Sequence, residues 1–234
     1  MNKKKILCII PARGGSKSIN NKNLIKLGRY SLLEHVIFFA KKAKKFNSIV
    51  LSSDSIKMLK IGLNNKIDVV KRSKKNSTDK SLVADTIHEV LNFYKKKKIF
   101  YDIVVLLEPT CPFRKITHLK SCLRLLISKK LDSIATFSDA LLNPNRAWKI
   151  QKDKPQTYFK NIIPWKSKQS FERAYQLNGS VYAFSTKKFK PSINHLLFGK
   201  SQAYICNKNE ILIDIDNKKD YLISRLLFKN GKKI

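Results

Sequence analysis

Carboxylates are scarce in this chain. Sixteen Asp plus Glu stand against 49 Lys plus Arg in 234 residues, a formal charge of +33. Long apolar runs are also missing: none approaches the ~18–20 residues that a membrane-spanning helix needs. The Lys-rich start and the apolar run at 6–10 imitate a secretory signal, but Pro11-Ala12-Arg13 ends the run without a cleavage-like tail. A cytoplasmic protein with no membrane insertion is therefore expected. Cysteine is limited to Cys8, Cys111, Cys122 and Cys206, with no CxxC pair. That spacing gives no sign of structural zinc, and the apolar surroundings of Cys8 and Cys206 suit reduced, buried thiols. Gly is scarce at 7 residues, Ala at 10, whereas Ile reaches 26 and Asn 18.

What is present in excess is lysine. Of the 49 basic residues 41 are Lys and 8 are Arg. Together with the Ile and Asn usage this pattern suggests surface positions drifted by an AT-rich genome. Selected nucleic-acid binders lean more on Arg for base and phosphate contacts, with aromatics interleaved on the same surface. The basic runs at 41–45 and 95–98 lie on helix ends without such aromatics, so a solvated Lys-rich surface is expected and no nucleic-acid partner. A hydrophobic content of 43% is enough for a substantial core.

Along the chain, strands are expected at 6–10, 49–52, 67–71, 102–107 and 133–137. Helices are expected at 31–45, opened by the capping box Ser31-Leu32-Leu33-Glu34, and at 55–63, 82–94 and 116–128. This alternation predicts an α/β fold, a doubly wound and mostly parallel sheet with helices on both faces. Residues 143–172 break the rhythm with Pro144, Pro155, Pro164 and both tryptophans, which predicts a protruding lobe over about 140–178 inside a single domain spanning 1–234. Strands resume at 181–184 and 211–215, and a helix closes the chain at 218–229.

Four loops carry the residue types that chemistry needs. Arg13-Gly14-Gly15-Ser16-Lys17, with Lys22 and Asn23 beyond, follows the first strand, where the glycines permit close backbone approach and the cations suit phosphate. A plain basic turn is the alternative. Asp214 and Asp216 follow an apolar run, and in a strand both would face one side, able to share a hard cation such as Mg²⁺. The competing role is capping, with Asp216 or Asn217 starting a helix and Asp220 favouring its positive end. Glu108-Pro109-Thr110-Cys111-Pro112-Phe113-Arg114 is stiffened by two prolines and could aim Thr110 and Arg114 at a ligand. Asn178-Gly179 offers a close backbone approach and an amide.

In their order these segments resemble the CMP-sialic acid synthetase family, the acylneuraminate cytidylyltransferases. The family's IPARGGSKGxxxKN is matched by residues 10–17 and Lys22-Asn23, its STD by Ser52-Ser53-Asp54, and its RP-x(4)-TD by residues 72–79 with Ser73 in place of Pro. Its QPTSPLR is matched by Glu108 to Arg114, its NGAIY by Asn178-Gly179-Ser180-Val181-Tyr182, and its DIDTxxD by residues 214–220. The resemblance implies a homodimeric nucleotidyltransferase built on a Rossmann-like sheet, dimerising through the lobe. It would transfer CMP from CTP to the anomeric hydroxyl of a nine-carbon 2-keto sugar acid. By motif position Arg13, Lys17 and Lys22 would hold the triphosphate, with Gly14, Gly15, Ser16, Asn23 and Arg72 nearby. Asp214 and Asp216 would hold Mg²⁺, leaving Glu108, Thr110, Arg114, Asn178 and Gly179 for the substrates. Glu108 stands where the family carries a sugar-contacting Gln, and an acceptor-only carboxylate changes which sugar substituents fit. Legionaminic and pseudaminic acids are therefore expected acceptors beside sialic acid. The alternatives are a 3-deoxy-octulosonate-type sugar-activating enzyme or a basic nucleic-acid-binding protein.

Overall fold

The first strand, β1 (Ile6–Pro11), sets the architecture because its residues are apolar on both sides. Cys8 and Ile10 enter one core, while Leu7 and Ile9 enter another on the opposite face. A strand buried on both faces calls for a helical layer above and below it, the condition for a parallel sheet. The structure, a computed structural model, describes residues 4–16, 18–78 and 81–231. Lys17, one of the expected triphosphate ligands, lies outside the described residues.

After β1 come two short strands, β2 (Lys26–Leu27) and β3 (Tyr30–Ser31), then α1 (Leu32–Ala43), β4 (Ser48–Ser53), α2 (Ile56–Asn64) and β5 (Asp68–Lys71). The second half holds α3 (Val83–Lys96), β6 (Ile103–Leu106), α4 (Ile116–Ser128) and β7 (Ser133–Asp139). It continues with the hairpin β8 (Trp148–Gln151) and β9 (Lys154–Thr157), then β10 (Tyr175–Ser185), β11 (Ser201–Ile205) and α5 (Lys218–Lys229). Seven strands form one sheet in the order β11-β7-β10-β6-β1-β4-β5. β10 alone runs antiparallel to its neighbours β6 and β7, and the other pairs are parallel. Helices α1, α2 and α4 cover one face with Leu33, Ile37, Met58 and Leu123. The other face is covered by α3 through Ile87 and Val90 and by Phe189 and Phe198. The expected doubly wound, mostly parallel sheet is what forms.

Local signals explain the boundaries. Ser31 Oγ accepts the Glu34 amide at 3.2 Å and Glu34 Oε2 accepts the Ser31 amide at 2.8 Å, so the capping box opens α1. A reciprocal pair opens α5, with Asn217 Oδ1 on the Asp220 amide and Asp220 Oδ2 on the Asn217 amide, both at 3.1 Å. Each such cap is worth ~1 kcal/mol.

Two expectations need correction. Residues 211–215 do not join the sheet; they run as an irregular segment whose Ile213 and Ile215 pack with Leu27, Phe113 and Phe228 under α5. Their apolar character comes from that small core, not from strand pairing. The edge strand is instead β11, whose exposure alternates along Ser201–Ile205. The strand expected at 181–184 is also longer, starting at Tyr175, with a register break between Leu177 and Tyr182.

Residues 140–174 hold the β8–β9 hairpin, which forms its own two-stranded sheet. Lys152 and Asp153, at φ 47° and 63°, make its tight turn.

Candidate active site

In a sheet of this order the chain leaves β1 to one side for β4 and β5 and returns on the other side for β6. The loops leaving the ends of β1 and β6 therefore diverge and open a crevice between them. A cleft of about 310 Å³ lies there. Arg13, Lys22 and Asn23 line it from the loop after β1, Arg72 and Thr78 from the segment after β5, and Glu108 and Thr110 from the loop after β6. Asp214 and Asp216 close it from the segment before α5. Eight of the sequence-expected residues thus meet on one cavity from four separate stretches of chain.

The basic side is held largely by backbone oxygens. Asn23 Nδ2 donates to Arg13 O at 3.0 Å, fixing the loop, and an Arg13 guanidinium N–H donates to Thr78 O at 3.3 Å. Arg72 is buried and donates to Ser52 O at 3.2 Å and Ser52 Oγ at 3.4 Å. Burial lowers its guanidinium from the ordinary value, with Asp54 and Glu89 opposing. The Gly14 amide, expected to cradle anionic oxygens, donates instead to Asp54 Oδ1 at 2.7 Å. Among the described residues, Gly14, Gly15 and Ser16 do not line the cleft, and nothing lies close to where a Gly15 Cβ would stand.

On the acidic side, carboxylates crowd together. Among the described residues, Asp214 Oδ1 is buried with no hydrogen-bond partner. Burial pushes the Asp214 carboxyl above its ordinary range, against the Thr110 hydroxyl bond that lowers it, and Asp216 raises it further. Glu108 is pushed up to about 7, first by burial and then by Asp214. Gly179 sits between them at φ +67°, and a Cβ there would lie 3.0 Å from Asp214 Oδ2 and 3.3 Å from Glu108 Oε2. Only glycine fits that conformation without strain and leaves room for the two carboxylates. The Ile215 amide donates to Thr110 O at 2.8 Å, which ties the 214–216 segment to the loop after β6. Asp216 is the exposed member, its side chain 71% accessible, and it bonds Lys22 Nζ at 2.9 Å across the cleft.

Of the other expected substrate residues, Arg114, Asn178 and Gly179 do not line the cavity either. Arg114 is buried behind the acidic wall, donates to Glu108 O, and lies 5.6 Å from the Phe39 ring centroid. Its charge favours ionised Glu108 and Asp214 from behind. Asn178 spends its amide inside the protein: Oδ1 accepts from Thr136 Oγ1 at 2.7 Å and the Ser180 amide at 3.1 Å, while Nδ2 donates to Ser138 Oγ at 2.9 Å and Cys206 Sγ at 3.4 Å. It holds the β10 bulge that presents Gly179. The cleft also uses residues that sequence reasoning missed, Asn76, Ser81 and Thr86 among them. The Arg72-to-Asp79 motif pointed at this segment without indicating which hydroxyls and amides would face inward.

A sequence profile described as Cytidylyltransferase matches residues 7–222, nearly the whole chain. The chain belongs to the cytidylyltransferase family. Among curated relatives it is 28% identical over 228 residues to an N-acylneuraminate cytidylyltransferase of Streptococcus agalactiae, covering 96% of this chain and 54% of that protein. The chain thus spans about half the length of that relative. It is also 28% identical to the CMP-N,N'-diacetyllegionaminic acid synthase of Legionella pneumophila, covering 96% of this chain and 97% of the relative. Among solved structures, a CMP:2-keto-3-deoxy-manno-octonic acid synthetase complexed with CTP superposes with a TM-score of 0.68 at 13% identity, covering 97% of this chain and 99% of the other. That likeness establishes the cytidylyltransferase fold. No helix among the described residues is long and apolar enough to cross a membrane.

Proposed function

We propose that this cytidylyltransferase transfers CMP from CTP to the anomeric hydroxyl of a nine-carbon 2-keto sugar acid and releases pyrophosphate. One observation carries the reading: a basic wall and a carboxylate wall face each other across the β1/β6 crevice. A nucleoside triphosphate with its cation matches that division of charge, and the Legionella relative, covered almost end to end, is named for a legionaminic acid.

In this reaction the sugar hydroxyl oxygen bonds to the α-phosphorus, the bond from that phosphorus to the bridging oxygen breaks, and pyrophosphate leaves with that oxygen. The hydroxyl proton passes to solvent. Arg13 and Lys22 stand where they would hold phosphate oxygens, and buried Arg72 keeps a fixed charge beside them. Lys17 belongs with this group by its motif position. Asp214 and Asp216 are the residues to hold Mg²⁺: both offer hard oxygen donors, and among the described residues nothing hydrogen-bonds the buried Asp214 Oδ1. When bound there the ion would neutralise phosphate charge. Such sites work by positioning and charge compensation in a partly dry cleft.

The lobe is proposed as the dimer contact. Leu141 and Trp165 are 90% and 83% exposed, with Ile163 and Tyr158 also accessible. Large apolar side chains exposed this often within one stretch of chain favour a partner surface. Replacing Leu141 and Trp165 together by Lys should convert a dimer to monomer in sedimentation; an unchanged assembly would remove the lobe from that role.

Pyrophosphate release from CTP and Mg²⁺, measured against sialic, legionaminic, pseudaminic and 3-deoxy-octulosonic acids, tests the activity. Release with a nine-carbon acid and CTP, and little with ATP or UTP, is expected. Release with none of the acids, or equal release with other nucleotides, would end this reading.

A further inference from the structure

A second group of coordinating side chains lies away from the cleft. His118 in the first turn of α4, Cys206 just beyond β11 and Glu210 in the following loop bring a ring nitrogen, a sulfur and a carboxylate oxygen within 4.8 Å of one another. His118 is 2% exposed and Cys206 is buried, while the Glu210 side chain reaches the surface at 18% accessibility, so an ion could enter from that side.

We infer that His118, Cys206 and Glu210 form a site for a zinc-type divalent cation, separate from the carboxylate pair of the cleft. The donor set is nitrogen, thiolate sulfur and one oxygen, which suits Zn²⁺ and not Mg²⁺. Three protein donors leave a fourth tetrahedral position for water. Among the described residues His118 Nδ1 is buried without a partner, while Nε2 lies 2.8 Å from Glu210 Oε2.

The surroundings fit ligation as well. Lys115 Nζ holds Glu210 Oε1 at 2.6 Å and leaves Oε2 toward the cluster. The Asn178 amide donates to Cys206 Sγ at 3.4 Å, a contact that orients the sulfur from behind. Through Asn178 the site is joined to the β10 bulge, and four residues after Glu210 the chain reaches Asp214. A bound ion would fasten α4, the end of β11 and the loop that delivers the acidic wall to one another.

Cobalt gives the test. The untagged full-length chain, stripped with chelator and kept in excess Mg²⁺, is titrated with Co²⁺ and then with Zn²⁺. The proposal expects a thiolate-to-cobalt charge-transfer band that saturates at one equivalent and is displaced by Zn²⁺, together with a raised melting temperature. Cys206→Ser should abolish the band, and Glu210→Gln, in a surface loop, should weaken Co²⁺ binding by more than about 100-fold, since even a lost outer-shell partner typically costs 10–100-fold. Circular dichroism checks that both variants fold. Absence of the band in the wild-type chain, its survival in Cys206→Ser, or unchanged affinity in Glu210→Gln would each overturn the site.

Discussion

The two walls of the cleft are built on opposite plans. On the basic wall, Arg13 and Arg72 donate to the backbone carbonyls of Thr78 and Ser52, which positions these charges, and Asp54 and Glu89 support the Arg72 cation. On the acidic wall, Glu108 and Asp214 flank Gly179, and each is driven toward its protonated form by burial and by neighbouring carboxylates. In a chain with 41 lysines, cations are common, and those of the cleft are set apart by burial and fixation. Acids are rare, and two of those in the cleft, Glu108 and Asp214, are placed where burial makes their charge hard to carry. A triphosphate with its cation would relieve the strain on both walls together.

The walls can be tested separately, from the largest expected effect down. Asp214→Asn should lower pyrophosphate release by roughly 10²–10³, the usual cost of losing a group at developing charge. It should also weaken Mn²⁺ binding, read by electron paramagnetic resonance, while circular dichroism stays native. A near-normal rate would show that the acidic wall is not where the cation acts. Arg72→Ala should weaken CTP binding by on the order of tenfold to a hundredfold, as expected when a charge-assisted hydrogen bond worth ~1.5–3 kcal/mol is lost. An unchanged affinity by titration calorimetry would take Arg72 off the substrate side.

Glu108 gives the pH signature of the comparison. Its carboxyl titrates near 7 in the folded protein against an ordinary 4.5, so between those values the fold holds a proton that the unfolded chain has released. That contribution to stability is fully present below about 4.5 and is lost as pH rises through about 7. In metal-free buffer the wild-type melting temperature should therefore fall between about pH 5 and 8 more steeply than that of Glu108→Gln. Parallel profiles would show that Glu108 ionises normally. Gly179→Ala is the mildest change: strain at positive φ should cost about 1–2 kcal/mol of stability. It should also reduce cation affinity by crowding Asp214, and a fully wild-type variant would contradict the spacing between the carboxylates.

How much of this could be read from residues alone divides along the same physical line. Strands buried on both faces, the Ser31–Glu34 cap and the bounds of α4 were legible because each is set by local pattern. β11 was not, since an edge strand with alternating exposure lacks the apolar run that marks β1. Residues 211–215 misled for the converse reason, being apolar through contact with Phe228 and Leu27. At the site, motif order singled out Arg13, Lys22, Asp214 and Asp216, and the fold brings the four onto one cleft. It could not tell that Asn178 and Arg114 turn inward, because a motif records position and not side-chain direction. The His118–Cys206–Glu210 cluster is farther still from sequence reach, as its members are joined only by the packing of α4 against β11.

The most direct test of the two-wall account is the coupling between nucleotide and cation. CTP binding is measured calorimetrically with and without Mg²⁺, in the wild-type chain and in Asp214→Asn. The account predicts that Mg²⁺ tightens CTP binding at least about tenfold in the wild type and that this tightening disappears in the variant while cation-free CTP binding is retained. Equal tightening in both proteins would contradict it.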